Sequence, residues 1–321
     1  MKTLGLHHIT AAAKEPQTNL DFYQQVLGQR LIKTTVNFDD PGTYHLYYGD
    51  YSGKPGTALT FFPWAHISPG QAGNGETAAF AYTIPESARS FWAARLKYFG
   101  FQPTREDTRF NAEVLPFQDP DGLHLELITS ASEAERVAVT PTTHSDVPDE
   151  KQLLGFHSVT LWLDEVESTA RILTEALVMK FIGQEGHRYR YSTETNELGQ
   201  IVDIVYRPNA YSARFGSGSI HHIAFRATSD EQQLAFREAL KTIGMQVTEV
   251  IDRQYFRSIY FRIPAGVLFE IATDQPGFAT DEPLEALGQQ LKLPAWFEPN
   301  RAMIEQRLAP IDRNRKIAYV R

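Results

Sequence analysis

The sequence repeats itself four times, and that repetition constrains the fold more tightly than any single motif. Residues 5–64, 77–129, 154–207 and 219–273 each open with an apolar strand, continue through a stretch of helical spacing and close with further short strands. In the first copy GLHHITAAA leads into PQTNLDFYQQVLGQRL. There Leu20, Tyr23, Val26 and Leu27 fall at helical spacing, and Gly28 sits where a C-terminal cap belongs. Strands TYHLYYGD and TALTFFPW follow, separated by the turn-forming SGKPG. The second copy reads AAFAYTIP, ESARSFWAARLKYFG and GLHLELIT, and its first strand lacks a histidine. The third reads GFHSVTLWL, EVESTARILTEAL, RYRYST and IVDIVYRP; Val178 stands where the first copy has Gly28, so this helix is expected to end differently. The fourth reads SIHHIAFRA, DEQQLAFREALKTIG, RSIYFRIP and GVLFEIAT, and parallels the first most closely.

The polar, Pro-containing residues 130–150 read as a linker between halves, which gives expected boundaries of 1–145 for modules one and two and 146–275 for modules three and four. Residues 276–321 stand outside the repeat and read as a C-terminal extension packed over one module, with a short helix near Arg301 to Leu308. The 321 residues suit roughly two domains of about 150 residues.

Composition narrows the chemistry. A net charge of −8 without a basic patch repels nucleic acid and anionic lipid, so neither is an expected partner. The absence of cysteine removes thiol nucleophiles, Fe–S clusters and disulfides, so any metal must use His and carboxylate. No apolar run approaches the roughly 20 residues of a membrane span, and MKTLGLHHIT lacks a signal pattern, so a cytoplasmic location is expected. No phosphate-binding glycine loop follows a strand, and no nucleophile elbow is present.

What remains is a set of histidines and one carboxylate. Strand neighbours point to opposite faces, so only one of His7 and His8, and one of His221 and His222, can line a cavity from a regular strand. Glu270 shares its face with Leu268 and Ala272 in an apolar segment, where a lone carboxylate must be paired or metal-bound. The plain alternative is an ion pair with Arg253 or Arg262.

GLHHIT, TVNFDDPGTYHLYYGD, TFFPW, SIHHIAF, DRQYFRSIYFR and GVLFEIATD together resemble the vicinal-oxygen-chelate (glyoxalase and extradiol dioxygenase) superfamily, and within it the ring-cleaving dioxygenases that open hydroquinones. The resemblance implies an α+β fold of four βαβββ modules forming two open, barrel-like domains. It implies that the histidine before each Ile is a ligand, giving His8 and His222, with Glu270 as the carboxylate and Fe(II) as the ion, Mn(II) being the alternative. It also places Tyr260, Arg253 and His221 among catalytic residues and His7 and Thr10 near the substrate, a small aromatic molecule, hydroquinone or catechol, whose ring is cleaved with O2; for His7 and His221 strand alternation then requires a strand bulge or a place behind the ligands. If His8 and His222 hold one ion, module one must pair with module four and two with three. His157, which would otherwise compete as a ligand, and Glu126 then become non-metal residues. Two other functions suit the same scaffold: a glyoxalase-like metal-dependent isomerase or lyase, and a non-enzymatic protein that sequesters aromatic compounds. Homo-oligomerisation is left open.

Overall fold

Runs rich in Val, Ile, Thr and aromatic residues become strands in all four copies, because branched and flat side chains pack well on a pleated surface. The computed structural model describes residues 2–103, 107–130, 139–142, 145–195 and 197–317. Module one supplies β1 (Leu6–Ala13), α1 (Pro16–Asp21), β2 (Arg30–Asn37), β3 (Asp40–Gly49) and β4 (Ala58–Pro63). Module two supplies β5 (Glu76–Pro85), α2 (Arg89–Tyr98), β6 (Asp107–Arg109), β7 (Ala112–Gln118) and β8 (His124–Ser130). Module three supplies β9 (Phe156–Leu163), α3 (Glu167–Arg171), β10 (Lys180–Glu185), β11 (Arg188–Ser192) and β12 (Ile201–Tyr206). Module four supplies β13 (Ile220–Ala227), α4 (Asp230–Thr242), β14 (Ile251–Asp252), β15 (Phe256–Arg262) and β16 (Leu268–Pro276). The class is α+β, as expected.

The strands form two eight-stranded sheets, ordered β14-β15-β16-β13-β1-β4-β3-β2 and β10-β11-β12-β9-β5-β8-β7-β6. Antiparallel pairing of β1 with β13 joins module one to module four, and pairing of β5 with β9 joins two to three. Sequence-distant residues therefore share one sheet face; His8 and His222 are 214 positions apart. Inside every module the opening strand runs parallel to the closing one, which gives a common ruler for comparing copies.

That ruler exposes a feature absent from simple strand alternation. The central ladders skip one residue at the same place in each opening strand: His7 in β1, Ala78 in β5, His157 in β9 and His221 in β13. A bulge of this kind re-aims the side chains beside it. The alternation rule applies to a regular strand, and the bulge is the departure from it that a role for His7 and His221 near the site requires.

Helix ends also differ from expectation. α1 and α3 each continue into a π-helical turn, Phe22–Val26 and Ile172–Ala176. Leu27 and Gln29 then donate to Phe22 and Tyr23, as Leu177 and Met179 donate to Ile172 and Leu173. Val178 at φ 57° takes the same left-handed exit as Gly28 at φ 68°, so the third helix ends as the first does. The shared hydrogen bonds impose that exit on a residue poorly suited to it.

The extension after β16 covers β2. Lys33, fully buried, lies 2.6 Å from Asp281 and 2.5 Å from Glu282, while Val36 packs with Leu293, Ile304 and Leu308 around α5 (Arg301–Arg307). Of the expected linker, residues 131–138 and 143–144 lie outside the described residues. Among the described residues no helix is long and apolar enough to cross a membrane.

Candidate metal centre

β1 and β13, side by side at the middle of one sheet, carry His8 and His222, and β16 next to β13 carries Glu270. Their donor atoms converge. His8 Nε2 and His222 Nε2 are 3.3 Å apart, and Glu270 Oε2 lies 3.4 Å from the first and 2.9 Å from the second. Donors about 2.1 Å from an ion and at right angles to each other stand roughly 3.0 Å apart, so this triangle fits three adjacent positions around a divalent cation. Among the described residues this is the one such His and carboxylate cluster, and all three members are buried.

The donor chemistry agrees with the spacing. Despite the short approach of His222, Glu270 Oε2 makes no hydrogen bond of acceptable geometry, and Glu270 is 0% exposed. A buried carboxylate oxygen facing two imidazole nitrogens with no proton properly placed between them is the arrangement a cation relieves. Burial pushes the Glu270 carboxyl up, but the neighbouring His8 and His222 outweigh it and hold it well below the usual range. Burial also lowers His222, against the pull of Glu270, keeping its lone pair free. Ser258 on β15 donates to Glu270 Oε1 and fixes the carboxylate's other oxygen. Neither arginine offered as the alternative partner reaches it. Arg253 donates to Tyr260 and Asp39, and Arg262 to the Gly266 carbonyl.

The bulged histidines sit behind the ligands. His7 Nδ1 is 2.9 Å from His8 Nδ1, and His221 Nδ1 is 2.8 Å from His222 Nδ1. Each can accept the Nδ1–H of the neighbouring ligand and so fix the tautomer that presents Nε2. Burial and the adjacent ligand push His7 well down, and the same causes push His221 down to about 3. His221 lines the cavity in front of the triad, whereas His7 does not. Thr10 is also kept from the cavity wall: it is fully buried and its hydroxyl is 2.8 Å from that of Thr60.

The cavity has a volume of about 330 Å³. Phe38, Phe62, Trp64, Phe256 and Leu268 make it largely apolar, and the predicted residues Arg253 and Tyr260 face it. Arg253 Nε lies 3.2 Å from the Tyr260 hydroxyl. Burial pushes that phenol up, with the charge of Glu270 adding to the effect and Arg253 opposing it. Two residues in the wall, His45 and Tyr47, were not anticipated. Overlaying the repeat would have revealed them, because Tyr47 stands opposite Thr60 as Tyr260 stands opposite Glu270, with His45 and Ser258 each two residues earlier.

The same ruler places His157 and Glu126. Thr160 pairs with Asp203 and Ala81 with Glu126, as Ala224 pairs with Glu270. Ser158 and Ala79 therefore hold the ligand positions of the second sheet, and His157 matches the bulged His221 instead. The reading of His157 as a ligand equivalent was displaced by one residue. It is neutral, pushed down to about 4 by burial and by Arg190, and its Nδ1 lies 3.0 Å from Ser158 Oγ. Glu126 does occupy the place of Glu270, but Arg109 binds it at 2.6 Å.

Comparison with known proteins agrees with this architecture. The sequence profile of the Glyoxalase/Bleomycin resistance protein/Dioxygenase superfamily matches residues 5–127 and 155–271. The provisionally named ring-cleaving dioxygenase MhqO of Bacillus subtilis (strain 168) is 44% identical over 311 residues, covering 97% of both chains. The chlorohydroquinone/hydroquinone 1,2-dioxygenase of Sphingobium indicum is 34% identical over 304 residues, covering 92% of both. A crystal structure of a provisionally assigned dioxygenase from Bacillus subtilis subsp. subtilis str. 168 superposes with a TM-score of 0.92 at 43% identity, covering 98% of this chain and 99% of the other.

Proposed function

Because the chain belongs to the Glyoxalase/Bleomycin resistance protein/Dioxygenase superfamily, we propose that it is a ring-cleaving dioxygenase of the extradiol type. It opens a hydroquinone with O2, using Fe(II) held by His8, His222 and Glu270, with Mn(II) as the alternative ion. The observation that carries this reading is the buried triangle of two imidazole nitrogens and one carboxylate oxygen without a hydrogen bond, facing an apolar cavity. The similarity to a hydroquinone 1,2-dioxygenase supports the substrate class.

When bound, the ion supplies Lewis acidity that favours the phenolate form of the substrate, and one-electron chemistry that allows reaction with O2. The chain's own residues do the rest. His7 and His221 hold the ligand imidazoles in the tautomer that exposes Nε2, and Ser258 holds the carboxylate. Phe62 and Phe256 wall the ring and exclude water, which strengthens every charge interaction within. The Tyr260 hydroxyl donates its proton to oxygen that becomes anionic during cleavage, and Arg253 stabilises the charge left on the phenol oxygen.

The test is oxygen uptake by protein loaded anaerobically with Fe(II), screened over hydroquinones and catechols. Consumption of one O2 per ring opened supports the assignment. Turnover without O2 would instead indicate an isomerase, and tight aromatic binding by metal-free protein would indicate sequestration.

A further inference from the structure

We infer that the Tyr47 hydroxyl is a fixed hydrogen-bond donor into the metal cavity, and that it anchors the substrate oxygen remote from the metal. The identity of that oxygen rests on the hydroquinone reading above; the donor itself does not.

The argument begins with a buried chain of four groups. Thr10 Oγ1 is 2.8 Å from Thr60 Oγ1, Thr60 Oγ1 is 2.8 Å from His45 Nε2, and His45 Nδ1 is 2.8 Å from the Tyr47 hydroxyl. Burial, reinforced by His8 and His222, pushes His45 well below its ordinary range, so it is a neutral imidazole with one N–H and one lone pair. The chain then holds four hydrogens, one on each group, for three links. One hydrogen is left over, and it lies on Thr10, on Thr60 between two donors, or on Tyr47.

These places are unequal. With the surplus at Thr10 or Thr60, the hydroxyl hydrogen would be sealed in the protein, because both residues are 0% exposed and neither makes a further side-chain hydrogen bond among the described residues. An unsatisfied buried donor costs about 1–3 kcal/mol. With the surplus at Tyr47, the free O–H faces the cavity that Tyr47 lines. The closed end therefore sets the direction: Thr10 donates to Thr60, Thr60 to His45 Nε2, and His45 Nδ1–H to the Tyr47 oxygen, leaving the Tyr47 hydrogen available. The rings of Tyr47 and Phe62, 4.0 Å and 4.3 Å from that of His45, clamp the imidazole in this orientation.

Position decides what the donor meets. Tyr47 comes from module one and Tyr260 from module four, at matching registers, so two phenols approach the site from opposite sides. Tyr260 is engaged with Arg253. Of the other polar groups in the wall, Asn37 Oδ1 accepts the Asp39 N–H, Asp39 accepts from Arg253, Trp64 donates to Asp40, Thr248 Oγ1 accepts the Tyr260 N–H and His221 Nδ1 is held by His222. A hydroquinone with one oxygen at the metal buries its second oxygen across the ring, in a cavity walled largely by Phe38, Phe62, Trp64, Phe256 and Leu268. Leaving that oxygen unpartnered would cost as much as leaving the donor unpartnered, and Tyr47 satisfies both. Thr10 is thus a positioning residue that acts through Thr60 and His45, although it never reaches the cavity.

The chain is tested without turnover by 15N NMR of histidine-labelled protein, with the His45 signals identified by their loss in His45→Gln. A neutral Nδ1–H tautomer is the expected result. An Nε2–H tautomer at His45 would put the surplus hydrogen on Thr10 or Thr60 and overturn the proposal. The anchor is tested by anaerobic binding of hydroquinone and of phenol, which lacks the remote oxygen, to the metal-loaded protein. Tyr47→Phe should weaken hydroquinone about ten-fold and leave phenol within about two-fold, and under turnover KM should rise more than kcat falls. Thr60→Val, which keeps the phenol but frees the imidazole tautomer, should weaken hydroquinone about three-fold. Equal affinity of wild type and Tyr47→Phe for hydroquinone overturns the anchor alone. Failure of the wild type to bind either phenol, alongside an Nδ1–H tautomer at His45, overturns the hydroquinone reading and the anchor with it, while the donor stands.

Discussion

The two sheets surround corresponding points with the same six positions and fill them in different ways. In the sheet of modules one and four those positions hold His8, His222, Thr60 and Glu270, and Tyr47 and Tyr260. In the sheet of modules two and three, matched by strand register, they hold Ala79, Ser158, the carboxylates Glu126 and Asp203, and Pro116 and Arg190. The carboxylates persist while the imidazoles are gone. Arg109 pairs with Glu126, and Arg188 and Arg190 reach Asp203 at 3.0 Å and 2.8 Å. A buried carboxylate must be met by positive charge, and the molecule meets it in two ways. Guanidinium groups complete the second site from within the protein and leave no position open for a substrate. Two imidazoles and a carboxylate would hold an ion through three donors and leave it open to further ligands, which is what chemistry at an ion requires.

The comparison breaks most visibly at the proposed metal ligands. Single replacement of His8, His222 or Glu270 by Ala should eliminate bound metal and turnover, measured by elemental analysis and oxygen uptake. His157→Ala and Ser158→Ala should leave both intact. Loss of metal in His157→Ala with retention in His8→Ala would move the site to the second sheet.

On the other side, the expected effect is on stability. Asp203→Ala strands Arg188 and Arg190, buried or nearly so, without their carboxylate. Breaking a buried pair in this way typically costs about 3–5 kcal/mol. Urea denaturation should report that loss while metal content per folded protein stays constant. A loss below about 1 kcal/mol would mean that the guanidinium groups are hydrated and that the sheets are less alike than their registers indicate. Adding Ala79→His and Ser158→His together to the intact arginine set should create no stoichiometric metal site, because the carboxylates are already engaged.

Tyr260 sharpens the contrast at the catalytic level, since Arg190 and Pro116 in its place cannot donate from a phenol. Tyr260→Phe keeps the ring and the packing, so metal content and fold should be retained while turnover falls roughly 10²-fold, the range for a positioned acid–base group. Unchanged kinetics would make Tyr260 a packing residue. Loss of metal would instead place its oxygen among the ligands.

Much of this was legible in the sequence because it is written locally. The repeat, the HHI pairs and a carboxylate in an apolar strand each lie within a few residues, and β-period reasoning isolates Glu270 at once. Alternation showed that His7 and His221 need a bulge or a place behind the ligands, but not which, because a bulge is a property of two strands, and β1 and β13 meet across most of the chain. His45 and Tyr47 read as ordinary strand residues unless module one is overlaid on module four, which matches them to Ser258 and Tyr260 and sets Tyr47 opposite Thr60. The one-residue displacement at His157 has the same origin: matching by residue type aligned a histidine with a ligand, whereas matching by pairing partner aligns it with His221.

The smallest expected effect concerns the helix exits. Gly28 is needed twice over: its φ of 68° is left-handed, and a Cβ there would lie 2.4 Å from Ser145 Oγ and 2.7 Å from Val147 Cγ2. Val178 takes nearly the same φ, 57°, but is 42% exposed, so space is available and only the backbone is strained. A left-handed conformation costs a residue with a Cβ about 1–2 kcal/mol, and a β-branched one tends to the upper end. Val178→Gly removes that cost but adds about 0.5–1 kcal/mol of unfolded-chain entropy. The net should be a stabilisation of about 0.5–1 kcal/mol, read as a higher urea midpoint at unchanged slope. Gly28→Val should destabilise by more than 2 kcal/mol, because strain and overlap add. If Val178→Gly lowers the midpoint, the exposed valine contributes packing that outweighs its strain, and the third helix departs from the first in energy though not in backbone.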